Sequence, residues 1–326
     1  MCDSRTHCIR TLCVFVIVAA LGSVGCGGNT NRPPVFVTVL TGNTSGVYYP
    51  LGVALSQLFR SAIPEANVSV QATAASAENL RLLQEGRGEL AFTLGDVLLD
   101  AWEGNADAGF ATPLKELRSV AGLYRNYVQI VATDSSGVRT LADLKGKRIS
   151  VGAPGSGTEL NARAIMKAAG ISYSDFSKVE YLSFSESVEL MKNRQLDITL
   201  QSAGLGVASL RDLAASVSIV VVPIPADVVQ KVGRPVYQPG TIPAGTYQGQ
   251  TAAVETATIP NVLVTHARVP DAVIYRMTKA MFDNLDRLVA AHVAARDISR
   301  EHATQELPVP LHPGASAYYA GAGVPE

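Results

Sequence analysis

The chain has 326 residues, 47% of them hydrophobic and 17% charged, with a formal net charge of -1. This balance excludes a disordered chain, which would lack the apolar residues to bury. The charge offers no basic footprint for nucleic acid, so none is expected as a partner.

All four cysteines, Cys2, Cys8, Cys13 and Cys26, fall in the first 26 residues. Arg5 and Arg10 make a basic start, Leu12 to Leu21 an apolar run, and Ser23-Val-Gly25 a small-residue stretch. That order is the anatomy of a secretory signal over residues 1–25, and the run is short for a membrane span. Residues 26–34, rich in Gly, Asn and Pro, read as a flexible tether. A body without cysteine has no disulfide framework, so its stability must come from its core.

From there short β-rich runs alternate with helical patterns, as in an α/β fold. A strand near Phe36–Leu40 leads into the turn Thr41-Gly-Asn-Thr-Ser-Gly-Val-Tyr-Tyr-Pro-Leu-Gly52 and a helix over residues 49–61. A strand at 68–73, the small loop Ala74-Ala-Ser76, a helix at 78–85 and a strand at 90–94 ending at Gly95-Asp96 follow. The order then recurs: a strand at 148–151, the turn Gly152-Ala-Pro-Gly-Ser-Gly-Thr-Glu159, a helix at 158–169, a strand at 179–184, a helix at 186–193 and a strand at 196–200. Two longer apolar runs, 123–133 and 258–266, are long enough to cross between lobes, and amphipathic helices follow over 272–297. Residues 223–225 and 234–249, rich in Pro, Gly and Tyr, read as loop. The pattern predicts two lobes, 35–128 plus 256–326 and 129–255, each an α/β layer around a parallel or mixed sheet.

Ligands of open α/β sheets sit beyond the carboxyl ends of the strands. That rule nominates Asn43, Thr44, Ser45, Val47, Tyr48, Ser76, Asn79 and Asp96 in the first unit. In the second it nominates Gly155, Ser156, Gly157, Thr158, Gln201 and Ser202. They supply hydroxyl, amide and backbone donors, suited to an anion held without a charged side chain. Tyr48, Tyr49 and Tyr124 offer a wall with polar tips. Thr44, Ser45, Ser156 and Thr158 also fit ordinary helix caps, and Asp96 fits either a ligand to an amine or a strand-end turn.

Neither turn carries the lysine of a phosphate-binding loop, and Gly152-Ala-Pro-Gly-Ser-Gly157 has the wrong order for a dinucleotide fingerprint. Ser156 stands in Pro-Gly-Ser-Gly-Thr and not in a nucleophile elbow. His266, His292, His302 and His312 show no metal-ligand spacing with a carboxylate. No catalytic set, metal or cofactor is expected.

The two glycine turns resemble the signatures of the TAXI family, the extracytoplasmic solute receptors of TRAP transporters. Leu141-Ala-Asp-Leu-Lys-Gly-Lys147, Thr241-Ile-Pro-Ala-Gly-Thr-Tyr247 and Pro310-Leu-His-Pro-Gly-Ala315 are further similar stretches. The likeness spans nearly the whole body; Asn43-Thr44 departs from it where the family commonly shows glycine. It implies a two-lobed periplasmic-binding-protein fold of type II, two sheets flanked by helices and joined by two crossing strands. It also implies a small carboxylate-bearing solute, such as a glutamate-like amino acid, keto acid or dicarboxylate, and a membrane permease driven by an ion gradient. Cys26 resembles the acceptor cysteine of a bacterial lipoprotein, with Ser23 in place of the usual Leu, which implies a lipid anchor and a periplasmic location. A sensor subunit for a signalling partner and an enzyme on the same scaffold are the other readings of such a chain.

Overall fold

The computed structural model describes Val35–Pro325; the signal, the tether and Cys26 lie outside the described residues. The first repeat runs β1 (Val35–Leu40), α1 (Tyr48–Ala62), β2 (Ala66–Gln71), α2 (Ser76–Gln84) and β3 (Leu90–Leu94), followed by α3 (Gly95–Glu103). A long strand, β4 (Leu117–Thr133), leads to the second repeat: β5 (Arg148–Ser150), α4 (Gly157–Ala168), β6 (Lys178–Glu180), α5 (Phe184–Lys192) and β7 (Ile198–Ala203). Then come α6 (Ala208–Ser216), β8 (Ile219–Val222), α7 (Ala226–Lys231), β9 (Gln238–Ile242) and the second long strand, β10 (Val254–His266). The chain closes with α8 (Asp271–Phe282), α9 (Leu285–Ala291) and α10 (Pro313–Tyr319).

The repeat seen in sequence is a repeat of topology. In the first unit β1 pairs in parallel with β2 on one side and β3 on the other; in the second, β5 does the same with β6 and β7. The sheet order is β2-β1-β3-β10-β4-β7-β5-β6, with β8 on β4 and β9 on β10. Strands β4 and β10, the two runs expected to cross, are antiparallel to each other and change outer partners along their length. β10 pairs with β9 over Val254–Thr258 and with β3 over Asn261–Val264; β4 takes up β7 only from Tyr127 onward. The exchange falls beside Pro260, where the β4–β10 register shifts. A proline cannot donate to the ladder, so this irregularity is where a strand interior tolerates one.

Alternation along the strands separates two core layers. Leu263 and Val131 belong to one cluster, with α1, α5, α6 and α8; Val262, Val264, Ile130 and Ala132 belong to the other, with α2, α3, α4 and α7. The result is a mixed sheet between two helical layers. Helix α1 shows how the pattern works: Tyr48, Leu51, Leu55, Leu58 and Phe59 share one face and are all buried, and Pro64 follows its end.

Four departures from the sequence reading have local causes. A helix, α3, starts at Gly95 where a turn was expected, because Val97, Leu98 and Ala101 form a buried stripe. The run 179–184 is a strand only to Glu180, since Ser183 and Glu186 make a reciprocal capping box that starts α5. The stretch 234–249 contains β9, held by pairing on the edge of β10 in spite of its Pro and Gly. The amphipathic run 272–297 breaks into α8, α9 and a short 3-10 turn, parting at Asp283-Asn284.

Candidate functional site

The turns that follow β1 and β5 both line one cavity of about 270 Å³. Its wall takes residues from the starts of four helices: Gly46, Val47 and Tyr48 at α1, Ala75 and Ser76 at α2, Ser156, Gly157 and Thr158 at α4, and Ser183 and Phe184 at α5. The first N–H groups of a helix have no partner within it, and the helix dipole places partial positive charge there. Four such ends converge on one space. No lining residue carries a charged side chain.

The two turns are built differently. In the first, Asn43 does the bonding: its Oδ1 accepts from the Ser45 N–H at 3.0 Å and the Ser45 hydroxyl at 2.6 Å, and Val47 caps α1 without a side-chain bond. In the second, Gly152 and Gly155 take φ of 100° and 73°, and the Ser156 hydroxyl caps α4 by accepting from the Glu159 N–H at 3.1 Å. Ser156 therefore serves as a cap and as lining at once. Its hydroxyl proton stays available.

The floor comes from the crossing strands. Asn261 on β10 accepts the Tyr48 hydroxyl and donates to the Tyr124 carbonyl at 2.9 Å and to Asn126 Oδ1 at 2.8 Å. Asn126 in turn donates to the Ser202 carbonyl at 2.9 Å. This buried chain ties α1, β10, β4 and β7 together beneath the cavity. Above it the Tyr124 hydroxyl and Ser202 Oγ, on residues 3% and 6% exposed, have no hydrogen-bond partner. Buried polar atoms are nearly always paired, so two orphans on one cavity wall are what a bound polar group would satisfy. Burial pushes the Tyr124 and Tyr48 phenols up, which keeps both as neutral donors.

Val47, Tyr48, Ser76, Ser156, Gly157 and Thr158 thus stand together on the cavity wall, with Asn43, Tyr124 and Ser202. The other nominated residues lie elsewhere. Thr44 is exposed on the outer surface, and Ser45 meets the Ser185 hydroxyl at 2.9 Å behind the wall. Asn79 is fully buried one turn into α2, where it donates to the Thr41 and Phe92 carbonyls at 2.7 and 2.8 Å and so ties α2 to the residue after β1 and to the middle of β3. Gly155 offers its carbonyl to the Glu78 N–H at 3.3 Å. Strand alternation turns Gln201 to the face opposite Ser202, where it accepts from the Ser209 hydroxyl at 2.6 Å. Thr73, Leu94, Asn126, Ser183, Phe184 and several glycines and alanines also line the wall without having been nominated. Only Ser183 carried a sequence signal, its Ser-x-x-Glu box.

Asp96 points away from the cavity into a second network. Its Oδ2 accepts from Asn161 Nδ2 and the Tyr237 hydroxyl, both at 2.6 Å, while Arg234 bonds the Asp96 carbonyl at 3.2 Å and the Asp100 carboxylate at 2.9 Å. Burial pushes the Asp96 carboxyl up to about 6; the Tyr237 bond and the Arg234 charge oppose the rise and Asp100 adds to it. Asp96 Oδ1 and Asn161 Oδ1 are left without partners. Among the described residues no group of three or more His, Cys, Asp or Glu side chains is placed to hold a metal ion, and no helix is long and apolar enough to cross a membrane.

Solved structures share this fold at low identity. PhnD1 from Prochlorococcus marinus, solved with methylphosphonate, matches with a TM-score of 0.56 and 11% identity, over 80% of this chain and 91% of its own. The periplasmic binding protein BugD matches with a TM-score of 0.56 and 10% identity, over 87% and 92%. A putative L-cystine ABC transporter protein from Listeria monocytogenes matches at 0.50 and 13%, over 81% and 98%. Those likenesses show the architecture of the periplasmic binding proteins. The sequence itself is more specific: residues 39–323, nearly all of the body, match the NMT1-like family, and the chain belongs to it.

Proposed function

We propose that this chain is an extracytoplasmic solute receptor that captures a small carboxylate-bearing solute between two lobes and delivers it to an ion-gradient-driven TRAP permease. One observation carries the reading: a cavity with no charged side chain, faced by four helix starts and two unpartnered hydroxyls, on Tyr124 and Ser202. Such a wall binds an anion through peptide dipoles and neutral donors. The lobes are 35–128 plus 256–326 and 129–255, with the partner exchange in β4 and β10 as the hinge. Contacts such as Glu78 to Gly155 and Asp96 to Asn161 belong to the closed state. The permease type rests on the likeness of residues 41–52 and 152–159 to the TAXI signatures, and export with a lipid on Cys26 rests on the N-terminal sequence.

The test is a thermal-shift panel of carboxylic acids with X-ray scattering of the responders. Saturation at about 100 times Kd adds about 2.7 kcal/mol, a rise of several degrees in Tm for a protein of this size. Closure also reduces the radius of gyration. A panel without any response overturns the reading.

A further inference from the structure

We infer that the solute presents its anionic head without an ammonium group, and so is an organic acid of the 2-oxo, 2-hydroxy or unsubstituted type and not an amino acid. The inference rests on the receptor reading above and narrows its ligand.

An amino acid needs two complementary poles in its site. This cavity supplies one. No carboxylate lines the wall, and those on the surrounding helices have partners elsewhere: Asp96, through Oδ2 and facing away from the cavity, with Asn161 and Tyr237, Asp100 with Arg234, Glu159 with Arg163 at 2.6 Å, Glu186 with the Ser183 N–H, and Glu78 with the Ala74 N–H at 2.6 Å.

The amide acceptors are committed as well. Asn43 Oδ1 takes the Ser45 N–H and hydroxyl, and Asn126 Oδ1 takes the Asn261 amide. An ammonium group placed here would sit among four positive helix ends with no counter-charge, and burying an unpaired charge is far costlier than burying a neutral polar group. The side-chain groups left open on the wall are hydroxyls: those of Tyr124 and Ser202 have no partner, and those of Ser156 and Thr158 each accept an N–H and keep their own proton. A hydroxyl donates to a carboxylate, a keto oxygen or a hydroxyl oxygen, most strongly to the carboxylate. The wall thus accepts an oxygen where an amino acid would carry nitrogen.

Calorimetry on the exported chain, freed of bound solute, decides the question with matched acids of three to eight carbons. Each skeleton is offered as the plain acid, the 2-oxo acid, the 2-hydroxy acid and the 2-amino acid; glutarate, 2-oxoglutarate, 2-hydroxyglutarate and glutamate form one such set. The expected result is binding within one or more sets, with the amino acid at least about 100-fold weaker than its oxo or plain counterpart. An amino acid binding within tenfold of its counterpart, or tighter, overturns the inference and leaves the receptor reading standing. Silence from every acid overturns both.

Discussion

Gly157 and Ser76 meet on the cavity wall, at the starts of α4 and α2, with no room for a methyl group between them. A Cβ on Gly157 would lie 2.6 Å from Ser76 Oγ and 2.7 Å from Leu94 Cδ1. Ser76 has little freedom to yield, because its hydroxyl accepts the Leu94 N–H at 3.2 Å. The close approach is made between the two repeats, so a side chain there acts on how they meet and not on how either one folds.

Gly157→Ala is accordingly expected to keep the Tm of the solute-free protein within about 2 °C while weakening the responding acid about 5- to 150-fold, since overpacking costs about 1–3 kcal/mol. Scattering should show the loss of ligand-induced compaction. An unchanged affinity would mean that the two helix starts do not meet in the bound state.

Tyr124→Phe removes a hydroxyl that has no partner within the protein. Deleting an unsatisfied buried group is neutral or mildly stabilising, whereas losing a bond to a charged ligand costs about 1.5–3 kcal/mol. The expected outcome is an unaltered or slightly raised Tm with affinity down about 10- to 100-fold. A variant with full affinity would remove Tyr124 from the binding surface.

The Asp96 carboxyl, normally near 3.8, is raised to about 6 in the fold. The folded state therefore holds a proton that the unfolded chain releases between those values. The stability this group contributes is fully present below the unfolded value and is lost as pH rises through about 6. Denaturant unfolding of the wild type should lose on the order of 3 kcal/mol relative to Asp96→Asn between pH 4 and pH 7. Parallel pH profiles for the two proteins would contradict this.

Ala75 starts α2 with φ 72° and ψ -158°, a region that suits only glycine. Ala75→Gly should relieve that strain and stabilise the protein by about 1 kcal/mol, read as a higher urea midpoint at unchanged m. A drop in midpoint would show that the Ala75 methyl packs well enough to outweigh its backbone cost.

The repeated strand–turn–helix units were legible because glycine turns interrupt otherwise periodic segments, and both turns do line the cavity. What escaped the sequence depends on distance. Tyr124 and Ser202 were nominated singly, but they meet Asn126 and Asn261 only because β4, β7 and β10 pair side by side, and nothing local marks those two asparagines or the meeting. Asp96 illustrates the opposite limit: a carboxylate at a strand end fits either an amine ligand or a turn, and neither reading foresees Asn161 and Tyr237, 65 and 141 residues away, as its partners. β9 was hidden because Gln238-Pro-Gly-Thr-Ile242 has poor strand composition and is a strand only by its pairing with β10.

A binding surface made of peptide dipoles and alcohols has nothing to titrate near neutrality. Capture of a fully ionised acid should then proceed alike in mildly acidic and mildly alkaline surroundings, while the carboxyl at Asp96 lets the same surroundings tune how firmly the halves hold together. On the receptor reading, recognition would stay constant as the acidity of the surroundings changes, with the responsive part at a separate place in the fold.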